Sequence, residues 1–526
     1  MRNLIRGNRV WSSAALAAVC LAVLAAPSAA RAADYYWTGG GATGGNGTWS
    51  NVNNWSTVVS STVPRPASGP TSADNVYFGT TNATSAATVT LTTDAAAYSI
   101  TQSTQTGNLT ISSTSGVTDR TLTIGAGGFT NLQNNTLIIG STGTTNRVNV
   151  ALNGSQIWSG TAMSGGSNWS IRNVISRVAG DTTNRTLAFD VGTTYQQTVT
   201  LGDVRDGGTS GSLSLWNSGI STLSFGTMAS FTGRVTLSSG GIKLGAGMLP
   251  TSGTLALRGT HQSVASNANF GVNLQSGSYA LPRIAVEASL NAIGFQKGLS
   301  GTANLGTITR SGGVVVFQNI TGTTVLLAGN SNNSAGVLGA WATVGSNDWA
   351  TVSSGSLAVA TSSTVSETGL TSVNGVYRLM PNQTLTAPRF AYVISGSNAT
   401  GTTITLGSND LTVSGFTATS GDWTIRRSVS GTGSGRLVIG SDNELVLTGA
   451  TGYVISAPVV DGTAAGKITY AGYGSSNYLE LSGSNSHSGG TEVASAQARQ
   501  VKLNNAYALG SGTFWINPTT EERAGL

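Results

Sequence analysis

The acidic pair best suited to chemistry is Asp203 and Asp206, which Val204 and Arg205 separate. Glycoside hydrolases act through two carboxylates held at a set separation. Residues three apart on a strand point to opposite faces, so this pair would not cooperate unless the chain bends. No other chemically active group converges on these residues. The sequence therefore assigns no catalytic residue, and a carbohydrate-active enzyme (a polysaccharide lyase or hydrolase) stays as the alternative function.

The remaining residue types that commonly carry chemistry are sparse. The two histidines, His261 and His487, are far apart, and no His/Cys/Asp spacing of a zinc site is present. The sequence also lacks a phosphate loop, a dinucleotide fingerprint and the glycine-rich calcium-roll repeat. Because a lone histidine has no partners, we interpret His487 as a surface residue. No metal and no cofactor are predicted.

Three tryptophans near the start, Trp37, Trp49 and Trp55, allow two interpretations. Aromatic faces stack well on pyranose rings, so the three indoles can form a glycan-binding platform. Alternatively they cap the first turn of a repeat fold, whose core is otherwise exposed. The need for apolar cover holds whatever the function, which favours the cap. Loss of sugar binding in Trp49→Ala without unfolding would favour the platform.

Strand-sized segments must position all of these residues. Segments of three to five residues with alternating apolar side chains recur from residue 86 onward, as at 109–111, 213–215, 437–439 and 479–481, and each is followed by Gly, Ser, Thr or Asn. No stretch has a helical period with caps, so almost no helix is expected after the first 32 residues. The spacing fits the turns of a parallel β-helix, and few Asn-Gly or Asp-Gly hairpin signals occur.

Composition supports one repetitive body. Glycine accounts for 72 of the 526 residues, whereas charged residues make up only 9 %, against roughly 25 % in typical globular proteins. Hydrophobic residues reach 39 %, which is too many for a disordered chain. Neutral Ser, Thr and Asn therefore supply the polarity, as expected for the outer faces of a solenoid.

The first 32 residues are typical of a secretory signal peptide. Arg2, Arg6 and Arg9 precede the apolar stretch 11–26, which is too short to span a bilayer comfortably, and Ala30-Arg31-Ala32 fits a cleavage site. We expect cleavage after Ala32, or else after Ala33; an uncleaved membrane anchor is the alternative. Removing the four arginines of this segment from the 26 basic residues leaves 22 against 20 acidic ones. The mature chain is thus nearly neutral, so no nucleic-acid partner is expected.

The glycine-cornered strand pattern is most regular at 231–257 and 479–516, where short strands precede a Leu-(Gly/Pro)-x-x-Gly-Thr sequence. These two segments closely resemble the autotransporter-associated β-strand repeat of large secreted bacterial passenger proteins. Residues 34–78, with their Trp-Thr-Gly start and paired tryptophans, resemble the segment that often opens such passengers. Residues 336–350, with Gly-Ala-Trp-Ala-Thr-Val and Asp-Trp-Ala, resemble a recurring insert of the same family.

The resemblance implies a right-handed parallel β-helix that is exported and usually attached to the cell surface, and it places 203–206 on a corner between strands. The expected layout is a signal peptide at 1–32, a cap-like segment at 33–85 and β-helix repeats at 86–526. The expected function is that of a structural, adhesin-like passenger without catalytic activity. Its expected partners are the export machinery and extracellular glycans or other cell surfaces, and no outer-membrane tether is expected within this chain.

Overall fold

The computed structural model describes residues 33–516 with short gaps. The predicted signal peptide and His261 therefore lie outside the described residues. The gaps are 40–44, 60–63, 80–85, 104–107, 115–118, 133–134, 144–145, 161–168, 193–197, 229, 250–252, 260–270, 282, 297, 346, 397–400, 419–420, 451, 474–476 and 495–499.

The protein is all-β, which confirms the predicted fold class, and its large sheets are mostly parallel. The helices that lie wholly inside the described residues are two single 3-10 turns, Val52–Asn54 and Glu367–Gly369. None of the helices in this part of the chain is long and apolar enough to cross a membrane. The near absence of helix follows from the period-two apolar pattern and the frequent glycines, which favour strands and corners.

The strands form two compact units. The first comprises Met1–Thr236 and Gly247–Gly253, and its strands pair in two parallel ladders, apart from an antiparallel contact between Asp34–Trp37 and Trp55–Ser56. One ladder contains Gly47–Thr48, Ala87–Leu91, Leu109–Ser113, Leu137–Ile139, Trp169–Ile171, Thr198–Gly207 and Thr222–Thr227. The other contains Asp34–Trp37, Asn75–Phe78, Ala95–Gln102, Arg120–Asn131, Val148–Asn153, Gln156–Gly160, Ile175–Arg177, Arg185–Val191 and Leu213–Asn217.

The second unit comprises Leu237–Ala246 and Thr254–Leu526, and the strand Arg234–Leu237 crosses the division in the sequence. In its earlier part, most strands pair in parallel in three series. The first series is Gly241–Leu244, Gly271–Leu274, Leu290–Phe295, Val314–Gln318 and Ala342–Val344; the second is Thr254–Leu257, Arg283–Val286 and Ile308–Arg310; the third is Gly277–Ala280, Gly301–Asn304 and Thr324–Leu326. Two antiparallel strands, Asp348–Ser353 and Ser356–Val359, follow.

The later part of this unit contains three parallel sheets. The eight-strand sheet consists of Ser363–Val365, Val376–Leu379, Val393–Gly396, Gly415–Ala418, Glu444–Gly449, Lys467–Gly472, Gly490–Val493 and Phe514–Ile516. The six-strand sheet consists of Gln383–Thr384, Thr402–Thr405, Trp423–Arg426, Tyr453–Ile455, Tyr478–Leu481 and Gln500–Leu503. The four-strand sheet consists of Arg389–Phe390, Leu411–Val413, Leu437–Ile439 and Val459–Val460.

The three sheets share one hydrophobic core. On the eight-strand sheet, Phe416, Leu447 and Tyr470 lie in register and point into it. Residues from the six-strand and four-strand sheets, such as Ile425 and Leu437, complete the core. Each large apolar side chain buried in this way stabilises the fold by about 2 kcal/mol.

The other face of the eight-strand sheet is also covered. A second buried cluster joins Val393, Val446 and Ala471 of this sheet to Val316 and Trp349 from the earlier part of the unit. Burial on both faces explains why Glu444–Gly449 is buried at every position rather than at alternate ones.

Gly415 is the point of closest approach at this interface. A Cβ atom added to Gly415 would lie 3.1 Å from Cη2 of Trp349 and 3.1 Å from Cβ of Ala340. Trp349 lies on Asp348–Ser353, which pairs antiparallel with Ala342–Val344. The segment 336–350, singled out in the sequence, thus forms a hairpin that rests on the sheet where a side chain is missing.

Candidate functional site

The three sequence-predicted aromatic residues pack together. Trp37 and Trp55 are paired in register, with ring centroids 4.8 Å apart, and Trp49 lies 5.2 Å from Trp55. The indole nitrogen of Trp37 donates to Gly45 O over 2.7 Å, and that of Trp55 donates to Trp49 O over 2.7 Å. All three are at most 4 % exposed. Stacking on a sugar needs an open ring face, so this burial favours the cap interpretation.

Asp203 and Asp206 have separate structural partners. Both lie within the strand Thr198–Gly207, so the expectation that they sit on a corner between strands is wrong. This strand changes its pairing partner between residues 201 and 204, and the chain therefore passes the corner without leaving the extended conformation. Asp203 accepts hydrogen bonds from Nε of Arg205 over 2.6 Å and from Oγ1 of Thr227 over 2.5 Å.

The carboxylate of Asp206 is occupied by the backbone. Its Oδ1 accepts from Leu213 N over 2.9 Å, while its Oδ2 accepts from Thr232 N over 2.9 Å and from Thr232 Oγ1 over 2.6 Å. A carboxylate that holds two neighbouring segments in this way is a structural connector. The structure does not bring Asp203 and Asp206 together as a pair.

His487 is a second correction, because it is buried rather than on the surface. Its Nε2 lies 3.0 Å from Oγ1 of Thr491. Burial lowers its pKa, although the nearby Asp461 carboxylate opposes this effect. The imidazole is therefore a neutral part of the core, which the lone position of this histidine in the sequence did not reveal.

The strongest cluster of charged side chains lies on the eight-strand sheet and was not predicted. Glu444 and Lys467 are neighbours in register at the starts of adjacent strands. Two residues further along Lys467–Gly472, Thr469 is in register with Glu492. Since alternate residues of a strand share a face, all four side chains lie on one side of the sheet. Arg310 reaches the same side from Ile308–Arg310.

These side chains form a continuous row of ion pairs, which we call the charged row: Arg310, Glu444, Lys467 and Glu492. Arg310 holds Glu444 with both terminal nitrogens, over 2.8 and 3.0 Å. The ammonium of Lys467 lies 3.3 Å from Oε1 of Glu444 and 2.8 Å from Oε2 of Glu492. Thr469 donates to Glu444 over 2.5 Å.

The electrostatics of the row favour ionised side chains. Burial by itself raises the pKa of Glu444, but Arg310 and Lys467 outweigh it and hold the pKa at about 2. Burial lowers the pKa of Lys467, and the two carboxylates reverse this effect and raise the pKa above its usual value. Glu444 is consequently a poor general acid, because catalytic acids need a raised pKa. The row contains two positive and two negative groups and is neutral overall.

Tryptophans lie at both ends of the charged row. The guanidinium carbon of Arg310 is 5.8 Å from the ring centroid of Trp341. At the other end, Trp515 is in register with Glu492. A Cβ atom added to Gly490, whose φ is +94°, would lie only 2.6 Å from Cζ3 of Trp515. The indole thus lies over the glycine that is the register neighbour of Lys467.

Within the described residues, no group of three or more His, Cys, Asp or Glu side chains is arranged to hold a metal ion. Comparison with models of known protein families, with curated proteins and with solved structures found no match to this chain.

Sequence reasoning missed the charged row because its members are far apart in the chain. Arg310 and Glu444 are 134 residues apart, and Lys467 and Glu492 are 25 residues apart. The second interval is the usable signal. It matches the expected length of one β-helix turn, so charges repeated at that interval can be tested for stacking.

Proposed function

We propose that this chain is an exported structural and adhesive element, built as a right-handed parallel β-helix and without catalytic activity. The observation that carries the proposal is the repeated parallel pairing of the second unit. From 363 to 516 the chain visits three sheets in turn, and its strands pair in register with strands one visit earlier and later. Crossover connections between parallel strands are almost always right-handed.

The mechanism of such an element is physical. Strand ladders in register satisfy the backbone hydrogen bonds and give a stiff surface. Neutral Ser, Thr and Asn side chains on that surface offer many weak hydrogen bonds to another surface. Repetition of weak contacts gives avidity without a single deep pocket.

Three further features support this proposal over an enzyme. Asp203 and Asp206 bind separate structural partners, Glu444 has a lowered pKa, and the first 32 residues are typical of a signal peptide. The resemblance to autotransporter-associated repeats points to the same class of protein. We further propose the layout of a signal peptide at 1–32, a cap at 33–85 that includes Trp37, Trp49 and Trp55, and β-helix repeats from 86 onward.

The test is protease treatment of intact cells that produce the protein, with the released peptides identified by mass spectrometry. The proposal predicts peptides from the exposed segment 428–434 while a cytoplasmic marker stays intact. Intact protein that is free in the medium would favour a soluble secreted enzyme or lectin instead. Protection of every peptide until the cells are lysed would refute export to the surface.

A further inference from the structure

The end of the charged row next to Trp515 differs from the predicted aromatic cluster because its indole is accessible. Trp515 is 40 % exposed, whereas Trp37, Trp49 and Trp55 are buried. We propose that Lys467, Glu492 and Trp515 form a binding subsite for the pyranose rings of an uncharged polysaccharide. This inference rests on the proposed adhesive function and names the kind of partner that it would hold.

The position of the indole is fixed by the sheet. Trp515 and Glu492 are neighbours in register, as are Gly490 and Lys467. Because Gly490 has no side chain, the six-membered ring of Trp515 lies over its backbone, directly beside the position of Lys467. An aromatic ring held in this way by the backbone is a rigid platform that loses little conformational entropy on binding.

The polar side of the subsite is also held in place. Glu492 is 6 % exposed and is ion-paired to Lys467. An ammonium group has three N–H donors, and two of them are directed at Glu444 and Glu492. The side chain of Lys467 is 25 % exposed, so the third donor can reach a ligand oxygen. A sugar hydroxyl, which both donates and accepts, matches an ammonium beside a carboxylate.

The charge balance selects the class of sugar. The two cations of the row are already matched by two carboxylates. An acidic polysaccharide would have to compete with Glu444 and Glu492 for Lys467 and would be repelled by these carboxylates. A neutral pyranose avoids this cost, and its apolar face can cover the exposed indole.

The experiment uses the purified full chain and insoluble cellulose, chitin and curdlan as uncharged probes, with soluble alginate as the acidic probe. We expect at least one uncharged polysaccharide to bind, and Trp515→Ala to weaken that binding about tenfold, since loss of an aromatic contact together with its buried area is of this order. Trp515→Phe, which keeps a smaller ring, should retain part of the affinity. Tyr507→Ala is the matched control, because Tyr507 is exposed in the same region but lies outside the row.

Circular dichroism and thermal unfolding of each variant separate loss of the subsite from loss of the fold. The proposal is overturned if no uncharged polysaccharide binds, if Trp515→Ala and Tyr507→Ala weaken binding equally, or if only alginate binds. These outcomes are independent of the cell-surface test. Surface exposure without polysaccharide binding would refute the subsite alone, whereas binding by a protein that cells retain inside would refute only the proposed export.

Discussion

Arg177 is buried, and its guanidinium group donates to backbone carbonyl oxygens. It links segments that are distant in sequence and that would otherwise leave acceptors unsatisfied. The acceptors are the carbonyl oxygens of Asp181, Thr183, Asp206, Gly207, Ser210 and Gly211, at distances of 2.6 to 3.4 Å.

We expect Arg177→Met to destabilise the protein by about 3 kcal/mol, because several buried carbonyl groups lose their donors at once. Hydrogen exchange should increase at 181–183 and 206–211. The control is Arg205→Met, which removes an exposed arginine paired to Asp203 and should change the free energy of unfolding by less than about 1 kcal/mol. Similar effects for the two variants would contradict this role of Arg177.

His487 gives a pH dependence that can be isolated. Burial lowers its pKa in the folded protein, whereas the unfolded chain binds a proton near pH 6.5. The free energy of unfolding should therefore fall as the pH drops below about 6.5, until it reaches the lowered pKa of the folded state. His487→Gln should lack this contribution. We would measure hydrogen exchange of Gly490–Val493 at pH 7.5 and pH 5.5 in both proteins; an equal change in both would exclude His487 as the cause.

At the scale of elements, the hairpin 342–353 depends on the space above Gly415. Gly415→Val adds a branched side chain where even one carbon atom would lie 3.1 Å from Trp349. We expect a cost of about 1–3 kcal/mol from overpacking, with faster hydrogen exchange in Asp348–Ser353. Thr424→Val, a change on a half-buried face of the six-strand sheet, should leave that exchange unchanged. Unaltered protection of the hairpin in Gly415→Val would contradict the packing described here.

The contact between Ile308–Arg310 and the eight-strand sheet is sensitive to acid. The pKa of Glu444 is lowered from 4.5 to about 2, so its ionised form adds about 3 kcal/mol to stability above pH 4.5, and this is lost as the pH falls towards 2. Glu444→Gln should therefore have a lower Tm than the wild type at pH 6, and the difference should shrink by pH 2.5. Arg310, Lys467 and Thr469 are unchanged in this comparison, so a constant difference would contradict the assignment.

The strands themselves were accessible from sequence, but their contacts across sheets were not. The predicted segments 109–111 and 437–439 match Leu109–Ser113 and Leu437–Ile439, because alternation and glycine corners are local signals. The ion pair between Arg310 and Glu444 depends on two sheet faces meeting 134 residues apart, for which a single sequence contains no local signal. The same limit explains why His487 was predicted to be exposed.

At the scale of the whole molecule, parallel pairing makes the fold independent of any one connection. Trp423–Arg426 pairs with strands before and after it in the sequence, and so does Leu437–Ile439. The segment between them is exposed, with Val429 84 % accessible at its tip. Loops of small polar residues tolerate insertion and cutting well, because few buried backbone groups depend on them.

We therefore expect the chain to stay assembled after it is cut between these two strands. A thrombin-cleavable sequence inserted after Gly431 should be cut completely, and the two fragments should elute together on size exclusion and separate only in denaturant. The control is the same insertion after Val446, inside a strand buried on both faces, which should prevent folding. Separation of the fragments under native conditions would mean that the sheets before and after the cut are held mainly by the covalent chain. Joint elution would mean that the parallel ladders and their shared core hold the unit together, as an adhesive surface exposed to proteases requires.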